Sequence, residues 1–192
     1  MRAIAQLQEE TALAFLEDVA GEMKAAFRRG NKLLIAGNGG SLCDANHFAE
    51  ELTGYFRKKR PALPAIALSE PGHLTCVGND AGFDTVFSRG IEALGKEGDL
   101  FFGLTTSGNS ENLVRAFATA KAQGLVTISF LGKGGGRLLG VADYSLVIGE
   151  VSTSDRIQEA HMTAIHILIE MVEVLLFDEE EAGVESGCLA AL

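Results

Sequence analysis

The sequence predicts an α/β fold, a three-layer αβα sandwich around a mostly parallel, flavodoxin-like central sheet. Short apolar runs rich in Val, Ile, Leu and Phe alternate with helical patterns along the chain. Two of these runs lead directly into loops dense in Gly, Ser, Thr and Asn, and a helical pattern follows each loop. Strands that alternate with helices in this way form a parallel sheet that is covered on both faces.

Hydrophobic periodicity places the elements in order. Apolar residues recur at helical spacing from the N-terminus until Gly30 and Asn31 end the first helix. The strand-type runs are mostly apolar, as expected for strands buried on both faces, and they lie at 32–36, 65–68, 100–104, 125–131 and 144–148. Helices are predicted at 3–29, 44–52, 87–94, 111–123 and 154–177, with a loop or broken helix at 76–84.

Composition indicates a globular protein of one domain. The chain has 192 residues, of which 47% are hydrophobic and 22% are charged, and these values are ordinary for such proteins. We expect a single domain over residues 1–177, including N-terminal helix 3–29, and an acidic, disordered tail at 178–192. The longest apolar stretch contains His166, Glu170 and Glu173, so no run reaches the roughly 18 residues that a membrane helix needs.

Cysteine usage and charge narrow the class of protein further. The three cysteines are scattered and the N-terminus lacks the pattern of a signal peptide, so we expect a cytoplasmic protein. The formal net charge of −10 disfavours nucleic-acid binding, which needs a basic surface. A small anionic substrate is compatible with this charge, because backbone N–H groups at a helix N-terminus bind phosphate.

The first candidate site is the sequence Thr-Thr-Ser-Gly-Asn-Ser at 105–110, between a predicted strand and a predicted helix. Its hydroxyl groups and the free N–H groups of the helix start can surround a phosphate. An ordinary helix N-cap at Ser110 is the alternative interpretation, although a cap needs only one hydroxyl. The Gly-Lys-Ser/Thr ending of a Walker loop is absent.

A second loop, Gly-Asn-Gly-Gly-Ser at 37–41, also joins a predicted strand to a predicted helix. Glycines allow a ligand to approach the backbone closely, but the pattern by itself is weak. Ligands of parallel sheets bind beyond the carboxyl ends of the strands. Both loops are therefore candidates to line one pocket.

His47 and Glu51 are four residues apart on a predicted helix and so project from one face of it. An imidazole and a carboxylate at this spacing can bind a divalent metal or act as an acid/base pair. The alternative is an exposed polar face, since Glu50 shows that carboxylates are common there.

The last predicted helix carries further polar candidates. Gln158 and His166 are eight residues apart, near two helical turns, and so share a face, whereas His161 falls among apolar residues. A single histidine on an apolar helix is more often a core residue than a catalytic one. Asn79 and Asp80 are compatible with simple turn residues.

Taken together, these motifs resemble the SIS (sugar isomerase) domain family. The resemblance rests on the loops at 37–41 and 105–110, on Val-Gly-Asn-Asp at 77–80, and on two longer segments. These are Cys-Asp-Ala-Asn-His-Phe-Ala-Glu-Glu-Leu-Thr-Gly at 43–54 and Asp-Arg-Ile-Gln-Glu at 155–159, followed by His161 and His166. Within the family, they are most similar to the sedoheptulose 7-phosphate (phosphoheptose) isomerases.

This resemblance implies an aldose–ketose isomerase that acts on a phosphorylated seven-carbon sugar, in the first step toward activated heptose for lipopolysaccharide or surface glycans. It also implies a homotetramer and a bound Zn²⁺ held by His47, Glu51, Gln158 and His166. The implied substrate contacts are Asn38, Gly39, Gly40, Glu51, Asn79, Asp80, Thr105, Thr106, Ser107, Ser110 and Gln158. One departure is Tyr55, which stands where some relatives carry a basic residue.

The implied chemistry assigns Glu51 as the base and His166 as its acid/base partner. A competing hypothesis is a non-catalytic SIS-domain protein that binds a replication-initiation protein or senses a sugar phosphate. Such a protein needs the two loops but no acid/base pair. The presence of His47, Glu51, Gln158 and His166 together favours the enzyme.

Overall fold

A five-stranded, wholly parallel sheet lies at the centre of the protein, in a computed structural model that describes residues 2–178. The strands are β1 (Leu33–Gly37), β2 (Ala65–Ala67), β3 (Leu100–Thr105), β4 (Val126–Gly132) and β5 (Tyr144–Ile148). Their order in the sheet is β2-β1-β3-β4-β5. Leu33 of β1 pairs with Ala65 of β2 on one side and with Leu100 of β3 on the other.

Helices cover both faces of this sheet and complete the predicted three-layer αβα sandwich. The helices are α1 (Arg2–Ala5), α2 (Glu10–Arg28), α3 (Gly40–Thr53), α4 (Pro71–Asp80), α5 (Val86–Leu94), α6 (Glu111–Ala122) and α7 (Ser154–Glu173). Helices α1, α2, α3 and α7 pack on one face, and α4, α5 and α6 pack on the other.

Strand β1 shows why the sheet needs two helical layers. Leu33 and Ile35 point into one core cluster, and Leu34 and Ala36 point into the other. All four are fully buried. Side chains alternate between the faces of a strand, so an entirely apolar strand is stable only when both faces are covered.

The N-terminal helical region is interrupted, which its periodicity does not predict. Residues Gln6–Gln8 form a 3-10 turn, and Glu9 is extended before α2 begins. The Gln6 side chain accepts a hydrogen bond from the backbone N–H of Glu150. Ala3 and Leu7 are nevertheless buried, so the apolar pattern continues through the break.

The expected loop or broken helix at 76–84 is a broken helix, whose first part, α4, begins earlier than expected, at Pro71, and ends at Asp80. The Glu70 carboxylate caps it by accepting from the N–H groups of Gly72 and His73, and Pro71 occupies its first position. No residue of α4 is buried, so it lacks the apolar stripe from which a helix is recognised in a sequence. A 3-10 turn at Phe83–Thr85 follows it.

Helix α7 continues into a π-helical turn at Val174–Asp178, and the two together span 25 residues. By length and composition alone this helix could cross a membrane, with a mean hydropathy of 1.6 in its most apolar window. Half of that window is buried inside the fold. The core helix of a globular protein can have the same length and apolar composition, so these two properties alone do not indicate a membrane helix. The remainder of the predicted tail, 179–192, lies outside the described residues.

The strand order reverses direction between β1 and β3. The chain leaves β1 toward β2 on one side, and returns to place β3 on the other side. Ligands of open parallel sheets bind at this switch point, beyond the carboxyl ends of the strands. The two loops predicted to line a pocket, 37–41 and 105–110, are the loops that follow β1 and β3.

Candidate active site

A cavity of about 220 Å³ lies at the switch point. It is formed by the loop after β1, the loop after β3 and the first turns of α7. Most of its side chains carry a hydroxyl or an amide. The lining residues are Asn38, Ser41, Leu104, Thr105, Thr106, Ser107, Ser110, Ser154 and Gln158.

The loop after β3 is fixed by its own hydrogen bonds. The Gly108 N–H donates to Thr105 Oγ1 at 3.1 Å, and the Asn109 N–H donates to Ser107 Oγ at 3.2 Å. Gly108 has a φ of +65°, and a Cβ there would lie 1.8 Å from the Gly135 carbonyl oxygen. Only glycine fits this position, because the loop presses directly on the backbone of the glycine-rich loop that follows β4.

Ser110 occupies the N-cap of α6, but its side chain makes no capping hydrogen bond. Its hydroxyl lines the cavity instead. The first N–H groups of a helix have no partner within the helix, and the helix dipole makes this end locally positive. The arrangement suits a bound phosphate better than the ordinary-cap alternative does.

The loop after β1 is anchored by a reciprocal amide pair. Asn38 Nδ2 donates to Asn112 Oδ1 at 3.0 Å, and Asn112 Nδ2 donates to Asn38 Oδ1 at 2.9 Å. Gly40 lies so close to Gln158 that a Cβ would meet its amide atoms at 2.7 Å. Gln158 Nε2 also donates to Ser41 Oγ at 3.3 Å.

A second polar cluster joins α3 to α7. His47 Nε2 lies 3.1 Å from Glu51 Oε1, and His166 Nε2 lies 3.3 Å from His47 Nε2. The ligand atoms of all three side chains fall within 4.8 Å of one another. The His166 ring stacks on Phe56 at a centroid distance of 5.6 Å.

The donor atoms of this cluster suit a zinc ion. Two imidazole nitrogens that face each other hold either a shared proton or a shared cation, and two imidazoles with a carboxylate are a common zinc-binding set. Partial burial lowers the pKa of His166, and His47 lowers it further, while the Glu51 carboxylate opposes the shift. His166 is therefore neutral at neutral pH and able to accept a proton or to bind a metal.

Asp44 lies one turn before His47 on α3. Partial burial raises its pKa to about 6, against the influence of His47. Its Oδ2 atom is buried without a hydrogen-bond partner among the described residues. Residue spacing alone gave no reason to distinguish Asp44 from the other carboxylates of α3.

The other predicted residues are placed differently. Gln158 lies against the start of α3, two helical turns before His166, and its role as a metal ligand stays a prediction. Asn79 and Asp80 are exposed at the end of α4, where Asn79 Nδ2 donates to Asp80 Oδ1 at 2.7 Å. A neighbouring cavity of about 370 Å³ lies beside the 3-10 turn at Phe83–Thr85. Its lining residues are Asn38, Gly39, Phe83, Asp84, Ser110, Glu111 and Asn112.

Two residues that the structure places at the site were not predicted from the sequence. Ser154 lines the first cavity, together with Ser41 of the predicted loop, and Asn112 holds Asn38. Ser154 also shares a hydrogen bond with Thr106 at 3.0 Å. The signal for Ser154 was its position at the start of a predicted helix, whereas no local signal distinguishes Asn112.

Comparison with known proteins identifies the family of this chain. The SIS domain family matches residues 1–132. A phosphoheptose isomerase of Fusobacterium nucleatum is 55% identical over 173 residues, which cover 90% of this chain and 89% of the relative.

Two solved structures are also similar. The phosphoheptose isomerase GmhA of Neisseria gonorrhoeae is 35% identical with a TM-score of 0.80, over 89% of each chain. A phosphoheptose isomerase of Francisella tularensis is 35% identical with a TM-score of 0.81, over 88% of this chain and 92% of that one. The chain therefore belongs to the SIS domain family and, within it, to the phosphoheptose isomerases.

Proposed function

We propose that this protein interconverts sedoheptulose 7-phosphate and D-glycero-D-manno-heptose 7-phosphate, the first step toward activated heptose for lipopolysaccharide or surface glycans. The observation that carries the proposal is the cluster of His47, Glu51 and His166, which unites residues 119 positions apart in the sequence. A non-catalytic sugar-phosphate sensor needs the hydroxyl-lined cavity but has no use for this cluster.

The phosphate occupies the cavity after β3 in this proposal. The hydroxyls of Thr105, Thr106, Ser107 and Ser110, with the N–H groups that begin α6, hold its oxygens. Backbone from the loop after β1, at Gly39 and Gly40, closes the other side. Binding energy from this remote group orients the reacting carbons, which raises the rate of the chemical step.

The reaction itself is a proton transfer between C1 and C2. The Glu51 carboxylate takes a proton from C1 of the ketose, and His166 transfers the proton of the C1 hydroxyl to the oxygen on C2 of the developing enediolate. The proton held by Glu51 then returns at C2, and the oxygen on C1 becomes the aldehyde. The short His47–Glu51 and His47–His166 contacts keep the Glu51 and His166 side chains close to each other.

We propose that His47, Glu51 and His166 also hold Zn²⁺, with Gln158 as the predicted fourth ligand. A zinc ion would polarise the substrate oxygens and stabilise negative charge on them. In this proposal Glu51 is both the base and a zinc ligand. These two roles conflict, because a carboxylate that binds a metal tightly is a weaker base. Removal of the metal with a chelator, followed by readdition, should abolish and then restore turnover, and unchanged turnover in the metal-free protein would exclude zinc from the mechanism.

The base assignment is tested by Glu51→Gln, which keeps the size of the side chain and removes its basicity. We expect isomerisation to fall by about 10³-fold, while sugar-phosphate binding, measured by calorimetry, persists. Glu50→Gln is the matched control, because Glu50 is the exposed neighbour on the same helix. Near-normal aldose production by Glu51→Gln in an NMR assay would refute the assignment, and no product from the wild type would favour the non-catalytic alternative.

The protein is further proposed to be a cytoplasmic homotetramer. Support comes from an apolar surface groove of about 270 Å³ on α7 and the turn after it, lined by Ile167, Glu170, Met171, Val174 and Leu175. Val174 is 43% exposed there. Burial of such a surface against a second copy of the chain would stabilise an oligomer.

A further inference from the structure

The segment that follows α3, residues 55–60, lies along α7 and is tied to it at several points. Phe56 stacks on the His166 ring. Arg57 forms an ion pair with Glu170, and Lys58 with Asp178. These two pairs are exposed, and exposed pairs contribute little to stability.

Arg60 differs from the other basic residues of the segment because it is buried. Its Nε atom donates to Glu173 Oε1 at 2.7 Å, and the two side chains are only 1% and 2% exposed. A buried ion pair is costly to form unless further hydrogen bonds satisfy its remaining donors. The rest of the guanidinium therefore has to find acceptors.

Those acceptors are the last carbonyl groups of α3. Arg60 Nη2 donates to the Glu51 carbonyl at 2.8 Å, and Nη1 donates to the Leu52 carbonyl at 2.8 Å. Nη1 also lies 3.4 Å from the Gly54 carbonyl oxygen. The final carbonyl groups of a helix lack partners within it, and a positive charge is favourable at that end.

We propose that Arg60 is a positioning residue of the active site. It binds the backbone of Glu51 on α3 and the side chain of Glu173 on α7, and so fixes the two helices at the separation that brings Glu51 and His47 to His166. His166 lies two helical turns before Glu173 on the same helix. The expected change in kcat rests on the proposed isomerase function, whereas the expected change in the His47–His166 separation does not.

The geometry is demanding because the two histidine nitrogens are 3.3 Å apart. A displacement of about 1 Å at a reacting centre can lower a rate by about 100-fold. A lysine at position 60 keeps the charge, but its single ammonium lacks the rigid fork that reaches two carbonyls and a carboxylate together. Glu173→Gln keeps the side-chain shape and weakens the other end of the same connection.

We expect Arg60→Lys to lower kcat by about tenfold or more and to leave KM within about twofold, because the phosphate cavity lies at the other end of α3. Zinc affinity, measured by competition with a chromophoric chelator, should fall by about tenfold, as for changes to residues that orient metal ligands. Glu173→Gln should shift both quantities in the same direction.

Asp99→Asn is the matched control for a general loss of stability. Asp99 is fully buried and pairs with Lys32 at the opposite, amino-terminal edge of the sheet. We expect this variant to unfold at a lower temperature while kcat per folded molecule and zinc affinity stay at wild-type values.

Crystal structures of the wild type and of Arg60→Lys or Glu173→Gln give a readout that needs no activity. The proposal predicts that the His47–His166 separation grows by about 1 Å or more in the variants. The proposal would be refuted if the His47–His166 separation were the same in the variants as in the wild type. It would also be refuted if the variants kept the kcat and zinc affinity of the Asp99→Asn control, because Arg60 would then contribute only to stability. A wild type that forms no aldose would instead refute the proposed function, and the separation would still decide the role of Arg60.

Discussion

His161 and His166 are five residues apart on α7, yet their surroundings give them different roles. His161 is fully buried, its Nε2 donates to the Leu131 carbonyl at 3.0 Å, and its ring meets Phe130 edge-on. Burial lowers the pKa of His161 to about 4. It remains neutral at neutral pH and is a core residue, whereas His166 faces His47 in the candidate site.

The buried histidine predicts how stability depends on pH. The unfolded chain binds a proton at His161 below about pH 6.5, and the folded protein does so only below about pH 4. Stability is therefore lost as the pH falls through this window, by about 3 kcal/mol from this residue. His161→Gln keeps an N–H donor without a titrating group. Urea unfolding at pH 7 and pH 4.5 should show a smaller loss for this variant, and an equal loss in both proteins would contradict the predicted pKa.

The Asn38–Asn112 pair leads to a second prediction for single residues. Asn112→Leu removes both hydrogen bonds of the pair and frees the loop after β1. We expect KM for the sugar phosphate to rise by about tenfold with a smaller change in kcat, since the affected loop binds substrate away from the reacting carbons. Asn46→Leu, at an exposed position of α3, is the control. Steady-state kinetics that show no difference between the two variants would exclude a role for the pair in binding.

At the scale of the elements, the two glycine-containing loops after β3 and β4 act as one unit. Gly108 presses on Gly135, and a Cβ at Gly136 would lie 2.4 Å from the Ser107 carbonyl oxygen. The 3-10 turn at Gly136–Leu138 is also hydrogen-bonded to the loop after β3, because the Leu138 N–H donates to the Gly108 carbonyl. The shape of the proposed phosphate loop thus depends on a neighbouring loop that does not line the cavity.

Gly108→Ala tests this dependence. The added methyl group would collide with the Gly135 backbone in a conformation with positive φ, so the loop has to open and sugar-phosphate affinity should fall by at least about tenfold. Gly134→Ala is the control, because a Cβ there meets nothing within 4 Å. The affinity of each variant for a sugar phosphate can be measured by calorimetry. Equal affinities of Gly108→Ala and Gly134→Ala would contradict the prediction.

Much of the fold was predictable because local and global signals agree. β5 lies at the predicted 144–148, and the loops after β1 and β3 meet as parallel topology requires. Helix α4 and the break at Glu9 were not predictable from periodicity, since α4 buries nothing and the apolar pattern crosses the break. The contacts of His166 and Arg60 depend on residues more than 100 positions away, which no local pattern records.

At the scale of the whole molecule, α7 connects the phosphate cavity, the candidate catalytic cluster and the exposed apolar groove. Its first turns line the phosphate cavity, its centre carries His161 and His166, and its end holds Arg60 and the exposed apolar groove. Because one helix joins these regions, an oligomer built on the groove would lie close to the candidate catalytic groups, since Ile167 of the groove directly follows His166. Assembly and activity are therefore expected to be linked.

The proposed tetramer gives the last prediction. Val174→Glu places a charge in the apolar groove at a position that is 43% exposed, so the monomer fold should tolerate it. The charge would lose its hydration in an interface, and burial of an unpaired charge is strongly unfavourable. Native mass spectrometry should show four chains for the wild type and fewer for Val174→Glu. Leu139→Glu, at a position 57% exposed on another surface, should remain tetrameric, and a monomeric wild type or a tetrameric Val174→Glu would refute the assignment of this groove.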